Sequence, residues 1–230
     1  MEVVSNCQKC KFLKNCIFDQ LSLAAKNQWV RIIKILKFQN EEMIYNEGEK
    51  PENVFVVCKG RVKVYSTDYT GQQLIIWIRY PGEMFGHLAI FSEKEYYCNA
   101  QAMGETFIAK INRNDFMEFL KKFPEMYEIL VRKMAMDNRI LQIKLQESAY
   151  KPAKAKVAHT LIKHISYKTK NSDQPYIYGL KRREIAEITG LAIETVVRVL
   201  SNFEKNKIIQ RSTNYIKILD YPKLLKISRE

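Results

Sequence analysis

The sequence predicts an α+β chain in which an antiparallel β-roll, a long helix and a winged helix-turn-helix follow one another. Three observations carry that expectation. Six of the eight glycines fall between short runs rich in Val, Ile, Tyr and Phe from Glu41 to Ile111. No glycine or proline interrupts Glu125 to Ser148. Two helical patterns flank Thr189-Gly190-Leu191 inside a strongly basic C-terminal third.

Taken in chain order, residues 1–19 form a leader carrying Cys7, Cys10 and Cys16. Residues 20–124 are expected to form the roll. Gln20 to Phe38 reads as a helix with an uneven apolar face of Leu21, Leu23, Trp29, Ile32, Ile33 and Leu36. After it, Val54-Phe55-Val56-Val57 and the strictly alternating Val62-Lys63-Val64-Tyr65 read as strands, as do Leu74–Ile78, Tyr96–Met103 and Phe107–Ile111. The intervening glycines suit tight turns that need positive φ.

Residues 125–148 form the long helix. Tyr127, Leu130, Met134, Leu141 and Leu145 repeat close to every 3.5 residues, the period of a seam between paired helices. A homodimer is therefore expected, although Asp137 on that seam needs a partner if it is buried.

Pro152 breaks into residues 149–230, the winged helix-turn-helix. Val157–Ile165 reads as helix and Asn171–Pro175 as a polar loop. Lys181–Ile188 and Ala192–Lys205 form the helix pair. Ile208–Arg211, a Ser212–Asn214 turn and Tyr215–Ile218 read as a hairpin wing.

Charge says what this last part binds. The chain has a formal net charge of +13. Residues 149–230 hold 17 Lys+Arg against 7 Asp+Glu, and residues 1–148 hold 21 against 18. A positive field gathered on one module points to a polyanion, and the helix-turn-helix narrows that to double-stranded DNA. Glu194 and Arg198 are four apart on one face of the second helix, at the end that enters the major groove. Arg can donate twice to guanine O6 and N7, and Glu can accept from cytosine N4. A plain i,i+4 ion pair on a solvated face would use the same spacing for only about 0.2–0.5 kcal/mol. Thr195, Lys181, Arg182 and Arg183 are candidates for phosphate contacts that position without specifying.

A roll, a long helix and a winged helix-turn-helix in this order resemble the CRP/FNR family of bacterial transcription regulators over nearly the whole chain. The most specific stretch is Arg183-Glu184-Ile185-Ala186 through Gly190-Leu191-Ala192-Ile193-Glu194-Thr195-Val196-Val197-Arg198, similar to that family's recognition unit. The resemblance implies a cyclic-nucleotide-binding-like roll, a homodimer on a palindrome with TTGA-like half-sites, and RNA polymerase as a further partner. Val197 stands where FNR-type members commonly have serine, and Ile193 where cAMP-type members have arginine. Val197 can still meet a thymine methyl.

The resemblance also bears on the effector. Cyclic AMP-binding relatives have Gly-Glu-Leu and, about ten residues on, Arg-Ser. Here Gly86-His87-Leu88 and Cys98-Asn99-Ala100 stand instead, so the ribose-binding carboxylate and the phosphate-binding arginine are missing. That argues against cAMP. The pocket candidates become His87, Cys98 and Asn99. The oxygen-sensing FNR subgroup holds a [4Fe–4S] cluster with the spacing seen in Cys7, Cys10 and Cys16, beside Lys9, Lys11 and Lys14. Three thiolates from one short loop suit a cubane or a zinc ion, both of which need a fourth ligand. Where relatives have their distal cysteine, this chain has Ala109. Cys98 is the expected substitute, and Cys58 reads as a small buried hydrophobe.

The longest apolar run, Leu74–Ile78, is far too short for a membrane span. Met1–Gln20 is too polar for a signal peptide, so a cytoplasmic chain with reduced cysteines is expected. A haem- or small-molecule-sensing regulator, with His87 as the haem candidate, stays open as the alternative effector reading. A metal-binding redox protein is the alternative of a different class. No nucleophile–base set or phosphate loop supports an enzyme.

Overall fold

The computed structural model describes residues 7, 10, 12–166, 169 and 174–230. Lys9 and Lys11, and residues 171–173 of the polar loop expected at Asn171–Pro175, lie outside the described residues. The chain forms two compact units, Met1–Asp68 with Ile75–Asp137, and Tyr69–Leu74 with Asn138–Glu230.

In the first unit, Leu13–Asn15 and Ile17–Gln20 are 3-10 turns, followed by α1 (Leu23–Ile32). Ser22 caps α1, its Oγ accepting from the Ala25 N–H at 3.3 Å, and Ala25 and Trp29 form the buried face. The helix expected to reach Phe38 stops at Ile32. Lys34–Phe38 is instead strand β1, paired antiparallel with β8 (Thr106–Asn112) from Lys34↔Lys110 to Phe38↔Thr106. β-branched Ile32, Ile33 and Ile35 favour the extended chain, and the β8 ladder supplies backbone partners that local helical periodicity does not reveal.

The remaining strands are β2 (Met43–Tyr45), β3 (Asn53–Lys59), β4 (Val62–Thr67), β5 (Gln73–Arg79), β6 (Met84–Phe85) and β7 (Asn99–Ala102). They make two antiparallel four-stranded sheets, ordered β1-β8-β3-β6 and β2-β7-β4-β5. Gly60, φ +89°, turns β3 into β4, and an added Cβ would come within 2.6 Å of the Glu105 carbonyl. Two short helices escape the sequence pattern, α2 (His87–Ser92) and α3 (Arg113–Lys122). Phe18, Trp29, Phe116, Phe119 and Leu120 close the core against Val54, Val56 and Ile111. Each such large side chain contributes roughly 1.5–3 kcal/mol on burial.

Helix α4 spans Glu125–Tyr150. Leu130, expected on the dimer seam, is instead buried with Met126 in the core of the roll. Pro152, extended and at the N-cap of α5 (Ala153–Lys163), ends the run because its ring cannot continue a helix.

The second unit packs α5, α6 (Arg182–Thr189), α7 (Ile193–Lys205) and α8 (Tyr221–Ile227) with a three-stranded sheet, β10-β11-β9. The wing hairpin is β10 (Ile209–Arg211) and β11 (Tyr215–Ile218), and Tyr176–Tyr178 adds β9 on the other side of β11. Val157, Leu161, Ile177, Ile185, Val196, Leu200, Phe203 and Ile218 are almost fully buried together.

Candidate nucleic-acid interface and cysteine cavity

Helix α7 is amphipathic. Val196, Val199, Leu200 and Phe203 face the core at i, i+3, i+4 and i+7, which turns Glu194, Arg198 and Ser201 to solvent. Gly190 ends α6 in the left-handed conformation, φ +66°, setting the steep turn into α7. Ala192 provides no side-chain cap to α7, so the first-turn N–H groups are available to a phosphate oxygen.

Among the described residues neither the Glu194 nor the Arg198 side chain is held in an ion pair, so the simple i,i+4 pair does not form. Thr195 and Val197 are half-buried, and Ile193 is exposed at the start of the helix. Lys181, Arg182 and Arg183 are exposed around the start of α6. Arg183 is partly committed, its Nε donating to Glu187 at 2.9 Å. The Glu184 carboxylate accepts from the Lys181 N–H at 2.7 Å, which closes the helix start. The sequence reading missed Arg211. Its Nε donates to Glu204 on α7 at 2.9 Å and its backbone N–H at 3.0 Å, anchoring the β10–β11 hairpin to α7. These bonds hold the Glu204 carboxyl below the usual carboxylate range.

The sensor candidates of the roll fall on two separate cavities. The first, about 30 Å³, is lined by Tyr45, Trp77, Arg79, His87, Tyr97 and Cys98 among others. With the side chains as they stand, that volume holds about two waters. His87 is 1% exposed and neither ring nitrogen has a partner among the described residues. Burial, with the positive charges of Lys133 and Arg79, pushes its pKa down to about 3, so it sits there neutral. Asn99 does not line this space, and its Oδ1 accepts from the Glu47 N–H at 3.1 Å. Arg79, unremarked in the sequence, enters the cavity stacked on Trp77 at 4.2 Å.

The second cavity, about 40 Å³, is lined by Cys7, Cys10 and Cys16 together with Cys58, Val56, Val57, Gly82 and Ala109. Cys98 is not among its residues, because the segment just before β7 that carries it lines the other cavity. The structure therefore separates the expected fourth ligand from the triplet and brings Cys58 to it. Burial raises the thiol pKa of Cys7, of Cys16 to about 11 and of Cys58 to about 12, so these groups are protonated when no cation faces them. Among the described residues, no three His, Cys, Asp or Glu side chains converge tightly enough for a single metal ion.

Comparison with known proteins agrees with this architecture. The family description "Cyclic nucleotide-binding domain" matches residues 35–123, and "Crp-like helix-turn-helix domain" matches residues 155–227. The chain is 26% identical over 220 residues to the transcriptional activator protein anr of Pseudomonas aeruginosa, covering 94% of this chain and 89% of that protein. It is 23% identical to the cyclic AMP receptor protein of Thermus thermophilus, over 76% of this chain and 79% of that one. The fold is similar to the solved structure of FixK2 from Bradyrhizobium japonicum, with TM-score 0.71 at 22% identity, covering 85% of this chain and 97% of that one.

Proposed function

From the premise that the chain belongs to the CRP/FNR family of DNA-binding transcription regulators, we propose that it works as a homodimer on a palindrome of TTGA-like half-sites, controlled by a cysteine-ligated iron–sulfur cluster. The observation that carries the DNA reading is the outward face of α7, where Glu194 and Arg198 are exposed and committed to no internal ion pair. Arg198 would read guanine, Glu194 cytosine, and Val197 a thymine methyl. Lys181, Arg182, Arg183 and Thr195 would hold phosphates. RNA polymerase is the further partner the family membership suggests.

The second copy is supported by α4. Tyr127, Val131, Met134, Asn138, Leu141 and Leu145 follow one another at alternating spacings of four and three, a heptad stripe with one polar position. All but Met134 are exposed, an apolar line that a partner helix would cover. A dimer places two copies of α7 in successive major-groove faces, one helical turn apart.

The donor set fits a [4Fe–4S] cluster in kind and number, since the cysteines lining one cavity offer the four thiolates a cubane takes. When bound, the cluster supplies oxygen- and redox-sensitive chemistry. Cys7, Cys10 and Cys16 would hold it, while Phe18 and Trp29 limit water around it. The first cavity argues against cAMP: His87 stands in place of an ionised carboxylate, and Arg79 is already engaged by Asp137.

A gel shift with a TTGA palindrome tests the function. Specific, salt-sensitive binding of a dimer is expected. Binding that ignores the TTGA core, or survives Arg198→Ala with unchanged sequence preference, would overturn it.

A further inference from the structure

Given a cluster on the N-terminal triplet as proposed above, we infer that Cys58 on β3 supplies its fourth thiolate. Cys7, Cys10, Cys16 and Cys58 line one cavity, whereas Cys98 lines the other with His87 and Trp77.

Strand alternation sets Cys58 on the cavity face with Val56, two residues before it, and the β3–β8 register carries a bulge at the same point. Val57 pairs with Ile108, and Lys59 pairs with Phe107, so two steps on β3 match one on β8. Cys58 is the extra residue of a β-bulge. A bulge leaves its extra residue out of the ladder and re-aims the side chains around it. Strict alternation would send Val57 and Cys58 to opposite faces, yet Val56, Val57 and Cys58 all line the cysteine cavity. The Cys58 thiol is half-buried, lies 3.8 Å from the Val56 carbonyl and takes a hydrogen bond from the Ala109 backbone.

Ala109 strengthens the assignment. It lies on β8 opposite Val56 and lines the same cavity, with 3% exposure. Its methyl leaves space on the β8 wall where a longer side chain would project, and the adjacent strand places a thiol there instead. On loading with two ferrous ions, two ferric ions and four sulfides, each of the four Sγ atoms gives its proton to solvent and forms one iron–sulfur bond.

The test uses the full chain, prepared without oxygen and reconstituted with equal amounts of ferrous and ferric iron plus sulfide, reading iron and acid-labile sulfide content and the visible charge-transfer spectrum. The wild type is expected to hold about four irons and four sulfides per chain. Cys58→Ala should lose most of that iron, as should Cys16→Ala, while Cys98→Ala keeps it. The double variant Cys58→Ala with Ala109→Cys should regain the cluster, because both positions face one cavity. That rescue separates a lost ligand from a damaged fold. If Cys58→Ala keeps full iron and Cys98→Ala loses it, Cys58 is not the ligand although the cluster reading stands. A wild type that takes up no iron overturns both.

Discussion

Arg79 at the end of β5 donates to both carboxylate oxygens of Asp137 on α4, at 3.3 and 2.9 Å, with its side chain only 4% exposed. Lys133 adds a third bond to Asp137 at 2.9 Å. The carboxylate that stood out on an apolar helix is thus the partner of a buried cation. Burial pushes the Asp137 carboxyl up, but the Arg79 and Lys133 bonds outweigh it and hold it below the ordinary value.

Asp137→Ala leaves Arg79 buried without its counter-charge, and a broken buried pair costs about 3–5 kcal/mol. The expected result is a large drop in urea midpoint with unchanged slope. The double change Arg79→Met with Asp137→Ala should lose less than Asp137→Ala alone. Additive losses would mean that the pair is not coupled.

His87 predicts an acid-side weakness. Its folded pKa, about 3, lies below the ordinary 6.5, so the folded state binds fewer protons there. Stability is complete above pH 6.5 and falls as pH drops toward 3, by up to about 1.4 kcal/mol per pH unit. His87→Leu should flatten that limb of a pH–stability curve measured by urea unfolding. An unchanged slope would place the acid sensitivity elsewhere.

On the DNA face, Arg198→Ala should cost about 1–3 kcal/mol on the matched site and relax preference at one base pair. Lys181→Ala should weaken all sequences similarly and lower the slope of log K against log salt by about one. Titrations by fluorescence anisotropy at several salt concentrations separate the two classes. Equal effects on specific and random DNA for both variants would contradict the assignment.

Helix α4 carries two kinds of leucine. Leu145 is 71% exposed and Leu130 is 2% exposed. Leu145→Glu should shift sedimentation toward monomer with little loss of fold. Leu130→Ala should instead destabilise the roll by about 2–5 kcal/mol, the cost of a core cavity. A Leu145→Glu protein that remains dimeric would move the interface away from this stripe.

Much of this was legible before any coordinates. Thr189-Gly190-Leu191 marks the turn of the helix pair, because only a residue at ease with positive φ ends α6 so sharply. The charge of residues 149–230 identifies a DNA-facing module, and the glycine spacing locates the hairpins. Lys34–Phe38 was not legible, since its apolar spacing suits helix or strand and only β8 decides between them. Leu130 has the right period for a seam but faces the roll, because periodicity names a stripe and not what covers it.

The chain order of elements, the basic module and the exposed face of α7 follow from local pattern, since propensity, turn chemistry and charge are properties of neighbouring residues. Which cysteine joins the leader, and which cation answers Asp137, depend on strand register and on residues 58 positions apart in the chain, Arg79 and Asp137. Cys58 on β3 lines one cavity with the leader cysteines, and Cys98 lines another. Those pairings are long-range, and no local spacing encodes them.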